Sequence, residues 1–226
     1  MRKIGLVGGI SWVSTIDYYR FINEGVNERL GGLNFAECII YSLNFADVQD
    51  QTWEGSFDLL LHACQSLQRS GVEAIVLCAN TAHLFADQLQ EEIALPIIHI
   101  GTETAKAINA TGIKKVGLLG TVFTMEKEFY IKKLEDHGLN ILVPAQKETR
   151  DYIQFTLKEE LGRGVILEET SAQYLKIIND LIADGAEGII LGCTEIPMLI
   201  NQDDFEIPVF DTTKIHCQAI VDYILS

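Results

Sequence analysis

The sequence predicts an α/β protein of two pseudo-symmetric lobes, each a short parallel sheet flanked by helices, and three observations predict it. Short apolar runs alternate with segments of helical periodicity along the whole chain, which is how a parallel sheet covered on both faces reads. The runs end abruptly in glycines and small polar residues, as strands do where they deliver side chains to a crevice at their carboxyl ends. The chain also repeats itself: Gly71 to Leu77 (GVEAIVL) matches Gly185 to Leu191 (GAEGIIL), Lys3 to Gly8 (KIGLVG) matches Lys115 to Gly120 (KVGLLG), and Leu95-Pro96-Ile97 matches Ile207-Pro208-Val209. Two-residue differences in loop length, which cost little, reconcile the three matches as one duplicated lobe. Lobe one is then 1–100, lobe two 101–210, and a last helix within 211–226 packs back on lobe one. Strand ends brought face to face would put an active site in the cleft between the lobes.

Element by element, Ile4 to Val7 reads as a buried strand ending at Gly8-Gly9, followed by a helix from Thr15 to Leu30 capped by Ser14 or Thr15. Cys38 to Leu43 is a second strand, Trp53 to Ser70 a helix, Ala74 to Cys78 a strand, Ala82 to Glu92 a helix and Ile97 to Ile100 a strand. The second half repeats the plan with a strand at Val116 to Leu119, a helix at Met125 to His137 and a strand at Asn140 to Val143. Helical segments at Lys147 to Leu161 and Glu168 to Asp184 precede the strand Gly188 to Leu191. A short helix near Pro197 to Asn201, a strand at Val209 to Phe210 and a helix at Thr213 to Leu225 complete it. Low-complexity segments and long linkers are absent.

Composition narrows the partners. With 226 residues, 48% hydrophobic and 22% charged, the chain is long enough for one large or two small cores. Seventeen Lys and Arg against thirty-two Asp and Glu give a formal charge of −15, which repels phosphate backbones and anionic membranes, so neither nucleic acid nor membrane is an expected partner. An anionic substrate would need a local pocket rich in positive charge or N–H groups. The five cysteines have neither metal-ligand nor disulfide-framework spacing, which suggests a reducing compartment. Without a leader-like apolar stretch or a run of membrane-spanning length, the expected location is cytoplasmic.

The strand-end rule selects Ser11, Asn44, Asn80, Thr81, Thr121, Thr124, Cys193, Thr194 and Glu195 as candidate site residues. Gly5-x-x-Gly8-Gly9 is not a dinucleotide fingerprint, no P-loop occurs and no lysine stands at a strand end, so no cofactor is expected. Cys78 and His83 lack further ligands for zinc, so no metal is expected either. Cys193, in Gly192-Cys193-Thr194-Glu195, sits where a thiolate would be stabilised by free N–H groups and a helix dipole. Cys38, Cys64 and Cys217 read as packing thiols, and Cys78 falls on the opposite face of its strand. The hydroxyl and amide residues can cap helices or cradle a small carboxylate with the same N–H groups. Glu195 and His83 can orient or polarise the site, or complement a dipole and a packing contact.

Five motifs, in order, carry a resemblance across nearly the whole chain. GLVGGISWVSTIDYY at Gly5 to Tyr19, CANTAH at Cys78 to His83, LLGTxxTM at Leu118 to Met125, GCTE at Gly192 to Glu195 and FDTT at Phe210 to Thr213 resemble the aspartate/glutamate racemase family. The resemblance implies two pseudo-symmetric lobes, an interlobe site, no cofactor, frequently a homodimer, and an amino acid or related carboxylate as the small-molecule substrate. In that family two cysteines flank the substrate Cα, one taking the proton and the other returning one. Cys193 matches the second-lobe cysteine. Asn80, Thr81, Thr121 and Thr194 would hold the α-carboxylate, and Ser11 would line the pocket. Arg163 resembles the basic residue that meets a distal carboxylate in aspartate-specific members, or is a solvated surface arginine. A second basic residue, found there after the second strand, has no counterpart in Asn44 to Asp50.

The first-lobe catalytic cysteine is lost: its position is Ala79, both by the family motif and by the internal repeat. Inversion would then need another donor, which His83, Cys78, a substrate group or a held water could supply. The reading that the resemblance favours is a cofactor-independent amino-acid racemase, aspartate racemase-like, using Cys193 as acid and base. A single-cysteine decarboxylase of the arylmalonate type and a catalytically inactive amino-acid-binding protein are the alternatives.

Overall fold

The computed structural model describes residues 1–50 and 53–226, which divide into two units. In the first, Met1–Ile100 with His216–Ser226, strands β1 (Ile4–Gly8), β2 (Cys38–Ser42), β3 (Ala74–Leu77) and β4 (Ile97–Ile98) form a parallel sheet ordered β2-β1-β3-β4. In the second, Gly101–Ile215, strands β5 (Lys115–Gly120), β6 (Asn140–Leu142), β7 (Gly188–Gly192) and β8 (Val209–Asp211) form another, ordered β6-β5-β7-β8. Both sheets are parallel and share one strand order, as a duplicated α/β lobe requires.

The repeat is also visible in side-chain roles. Glu73 Oε1 accepts from the Lys3 N–H at 3.0 Å, and its repeat partner Glu187 accepts through Oε2 from the N–H groups of Lys114 at 2.9 Å and Lys115 at 3.0 Å. Each carboxylate thus meets donors at the amino end of its lobe's central strand, and these bonds hold Glu187 below the usual carboxylate range.

Central strands are apolar on both faces because both are covered. In the first unit Val7, Ile75 and Leu77 pack with Leu60, Leu67 and Leu89 of helices α3 (Phe57–Arg69) and α4 (Ala86–Glu92). On the other face Ile4, Leu6, Val76 and Cys78 pack with Tyr18, Ile22 and Val26 of α1 (Trp12–Leu30) and with Ile220, Val221 and Ile224 of α10 (Thr212–Leu225). Each such aliphatic side chain contributes about 1.5–3 kcal/mol on burial, so Val76→Asp would break this layer. In the second unit Leu119, Ile189 and Leu191 pack with Ile153 and Leu157 of α8 (Lys147–Glu159) and Ile177, Ile178 and Leu181 of α9 (Glu168–Ala183).

Several boundaries differ from the sequence reading. Helix α1 starts three residues early, because Ser11 is extended (φ −129°, ψ 117°) and its hydroxyl accepts from Ser14 N–H. Ser14 and Thr15 lie inside the helix, Ser14 Oγ donating to Cys78 O at 2.9 Å and Thr15 Oγ1 to Ser11 O at 2.9 Å. The helix expected from Met125 is two, α6 (Val122–Glu126) and α7 (Glu128–Glu135), broken where Lys127 turns extended. Two helices escaped the reading, α2 (Phe45–Asp50) and α5 (Ile100–Thr111), and the segments at Trp53–Gly55 and Thr81–Phe85 are 3₁₀ turns rather than α-helix. No helix among the described residues is long and apolar enough to cross a membrane.

Candidate active site

The register of the sheets fixes which residues leave the central strands at equivalent points. In the first unit Val7 pairs with Leu77, and in the second Leu119 pairs with Leu191. Ala79 stands two residues past Leu77 and Cys193 two past Leu191, so alternation directs both to the same face of their sheets. Cys78 falls on the other face, buried with Tyr18 and Ile22 in the α1–α10 layer.

The second-lobe strand end needs glycine to form. Gly120 and Gly192 are a cross-strand pair, and a Cβ on Gly192 would lie 2.8 Å from Leu119 O and 3.3 Å from Thr124 Cγ2. Their absence of side chains lets buried Thr124 close over the strand ends, where Thr121 caps α6 by accepting from Thr124 N–H at 3.2 Å. Gln154 Oε1 accepts from Val122 N–H at 2.9 Å, so part of the α6 terminus is already satisfied within the fold.

At the end of β7 a thiol, a hydroxyl and a carboxylate converge. Cys193 Sγ donates to Glu195 Oε2 at 3.0 Å, and Thr194 Oγ1 donates to the same oxygen at 2.7 Å. Glu195 is 8% exposed. Burial pushes the Cys193 thiol well above its ordinary range, and the Glu195 carboxylate adds to that. The backbone N–H groups of Glu195 and Thr194 act against it without prevailing. The thiolate expected from the sequence is therefore a protonated thiol at rest. Its N–H donors are present, but the turn that follows, Ile196–Met198, is too short to supply a helix dipole, and a carboxylate faces the sulfur. Tyr174, which the sequence reading passed over, lies close enough for Cys193 to push its phenol further up, beyond what burial does, and its hydroxyl meets Thr156 Oγ1 at 2.9 Å.

In the first lobe, Asn80 and Thr81 are 4% and 5% exposed at the end of β3, while Ser11 is spent as the cap of α1. His83 is buried just beyond them, its backbone N–H donating to Asn80 O at 3.1 Å. Its Nδ1 donates to Ala79 O at 2.9 Å and its Nε2 accepts from Ile100 N–H at 3.2 Å, which commits both ring nitrogens. Burial first, then neighbouring His99, holds its pKa well below the usual imidazole range, so it is neutral and has no free proton position. His99 packs edge-on to His83 with centroids 4.7 Å apart, and His216 at 5.7 Å. His99 follows β4 directly; the strand-end rule would have found it had the strand not been drawn through to Ile100. Arg163 lies in the 3₁₀ turn Leu161–Arg163 with its guanidinium bonded to Glu159 and two-thirds exposed. Among the described residues, no group of three or more His, Cys, Asp or Glu side chains is placed to hold a metal ion.

Comparison with known proteins shows the family. The Asp/Glu/hydantoin racemase family profile matches residues 7–220. The broad specificity amino-acid racemase RacX of Bacillus subtilis is 24% identical over 228 residues, covering 99% of this chain and 98% of that protein. The glutamate racemase of Aquifex pyrophilus is 32% identical over 136 residues, 59% of this chain and 50% of that protein. Among solved structures, a candidate Asp/Glu racemase from Yersinia pestis is 44% identical with a TM-score of 0.93. PH1733, an aspartate racemase homologue from Pyrococcus horikoshii, is 37% identical with a TM-score of 0.87; both match over 100% of each chain. Two parallel four-stranded α/β lobes of one strand order define the racemase fold. The chain belongs to the Asp/Glu/hydantoin racemase family, whose named relatives here are isomerases acting on amino acids.

Proposed function

We propose that this protein is an amino-acid racemase in which Cys193 is the acid and base, cycled through Glu195. The observation that carries this reading is the 3.0 Å contact from Cys193 Sγ–H to the Glu195 carboxylate, with Thr194 donating to the same oxygen. Glu195 takes the thiol proton, leaving a thiolate and a carboxylic acid. The thiolate removes the Cα proton, its lone pair becoming the new S–H bond, and the electrons of the C–H bond remain on the substrate as a carbanion. Reprotonation by the same thiol restores the starting configuration. Inversion takes its proton from solvent, because Ala79 carries none, Cys78 is in the core and both nitrogens of His83 are committed, and Glu195 then releases to solvent the proton it took, which restores the resting thiol and carboxylate. Asn80, Thr81, Thr121 and Thr194 supply neutral donors for the substrate carboxylate.

The test is Cα–H exchange in D₂O across a panel of L- and D-amino acids, followed by NMR and chiral chromatography. Exchange by the wild type and its loss in Cys193→Ala support the reading, and full activity in the variant refutes it. A second reading, decarboxylation of a malonate with Cys193 protonating the product carbanion, is favoured by one feature: Ala79 packs against an apolar cluster rather than presenting a proton donor. An arylmalonate decarboxylase shares the fold at a TM-score of 0.59 with 14% identity. CO₂ release from an arylmalonate, without amino-acid exchange, would select that reading.

A further inference from the structure

Resting on the racemase reading, we infer that the amino acid this site accepts carries no carboxylate on its side chain. In open α/β sheets ligands meet the connections that follow the strands, so the charges on those connections decide which side chain can be desolvated there. In the first lobe the segments 9–19 after β1, 43–56 after β2 and 78–92 after β3 contain no lysine or arginine. They present instead Trp12 and Phe45, both exposed aromatic side chains. The first cation after β4, Lys106, is paired with Glu103 at 2.8 Å.

In the second lobe the first cation after β5, after β6 and after β8 has an acidic or aromatic partner of its own, and so do Arg150 and Arg163. Arg150 is held by Glu126 Oε1 at 2.7 Å, Pro144 O at 2.7 Å and Ala145 O at 2.8 Å. Lys147 pairs with Asp151 at 2.6 Å, Lys214 with Asp211 at 3.8 Å, and Lys127 stands over the Phe123 ring at 5.9 Å. Arg163 is bonded to Glu159. A substrate carboxylate could displace one of these acids, but the displaced acid would then be unpaired in a chain of net charge −15. Glu195, beside the reactive thiol, repels a second carboxylate as well. The single α-carboxylate is different, since neutral hydroxyl and N–H donors at strand ends suffice for one small anion. A side chain without a carboxylate asks for no cation.

The experiment measures exchange in D₂O with wild-type protein and L-aspartate, L-glutamate, L-alanine, L-leucine, L-phenylalanine and L-lysine, and binding of the same six by saturation-transfer NMR. The best monocarboxylic substrate is expected to exceed both dicarboxylic ones by about thirtyfold in kcat/KM, the lower end of what an unpaired buried charge costs. Equal or better turnover of aspartate or glutamate overturns the inference. If nothing exchanges, the racemase reading fails separately. Tighter binding of a monocarboxylic amino acid would then sustain the substrate class, whereas preference for the dicarboxylic pair, or no binding of any, would overturn it.

Discussion

Acidification should destabilise the first lobe through its buried imidazoles, and the sign and size follow from the structure. His216 has no exposed surface; its Nε2 donates to Ile98 O at 2.8 Å and its Nδ1 accepts from the Tyr18 hydroxyl at 2.8 Å. Burial, reinforced by neighbouring His83, lowers its pKa to about 3. An unfolded histidine titrates near 6.5, so between those values the unfolded chain binds the extra proton and stability falls as pH falls. The contribution is fully present above about pH 6.5 and has dropped by about 2 kcal/mol at pH 5 for this one group. His83, shifted in the same direction, adds to the loss. Urea titration at pH 7, 6 and 5 measures it, and His216→Phe isolates it. That variant is less stable at pH 7, by about 1–3 kcal/mol for the hydrogen bond lost between Tyr18 and His216, yet should lose about 2 kcal/mol less than wild type between pH 7 and 5. Parallel losses in the two proteins would refute the argument.

Three further outcomes test the site. Glu195→Gln removes the charge that helps raise the thiol, so the pH midpoint of Cys193 alkylation by iodoacetamide should move down; an unchanged midpoint would remove Glu195 from the proposed cycle. Gly192→Ala forces a methyl against Leu119 O and Leu118 Cδ1 at 2.8 and 2.9 Å and should destabilise by about 1–3 kcal/mol, read from thermal melting, with loss of exchange activity. Ala79→Cys places a second thiol at the equivalent strand end and should raise inversion relative to exchange with retention; a folded variant with no such gain counts against the register of the repeat.

Much of the fold was legible because the repeat and the strand pattern are long-range and redundant. Lys3 to Gly8 against Lys115 to Gly120 announced two equivalent central strands, and the observed pairs Val7–Leu77 and Leu119–Leu191 preserve that alignment. What the sequence hid was local. The start of α1 at Trp12 depends on Ser11 adopting an extended conformation, which competes on equal terms with capping by Ser14 or Thr15. The protonated state of Cys193 depends first on its burial in the folded strand end and then on where one rotatable carboxylate points, and the ring of His83, written beside Asn80 and Thr81, is claimed by Ala79 O and Ile100 N–H. Spacing along a chain carries none of these choices.

The two lobes show which residues at the strand ends serve the fold and which do not. One backbone design, in one register, accommodates alanine at 79 and cysteine at 193, so neither sheet needs a thiol at that point. Around Cys193 the fold tolerates something costly: a carboxylate with 8% exposure, bonded to a hydroxyl and a thiol rather than to a cation. Stability alone would favour an amide or an apolar residue at 195, since buried charge is retained at a cost. Retention fits the proposed cycle, in which a proton moves between that carboxylate and sulfur, the setting in which perturbed groups gather. If stability at neutral pH rises in Glu195→Gln while exchange activity is lost, folding and chemistry are opposed at this residue; a loss of stability would instead make Glu195 a structural anchor.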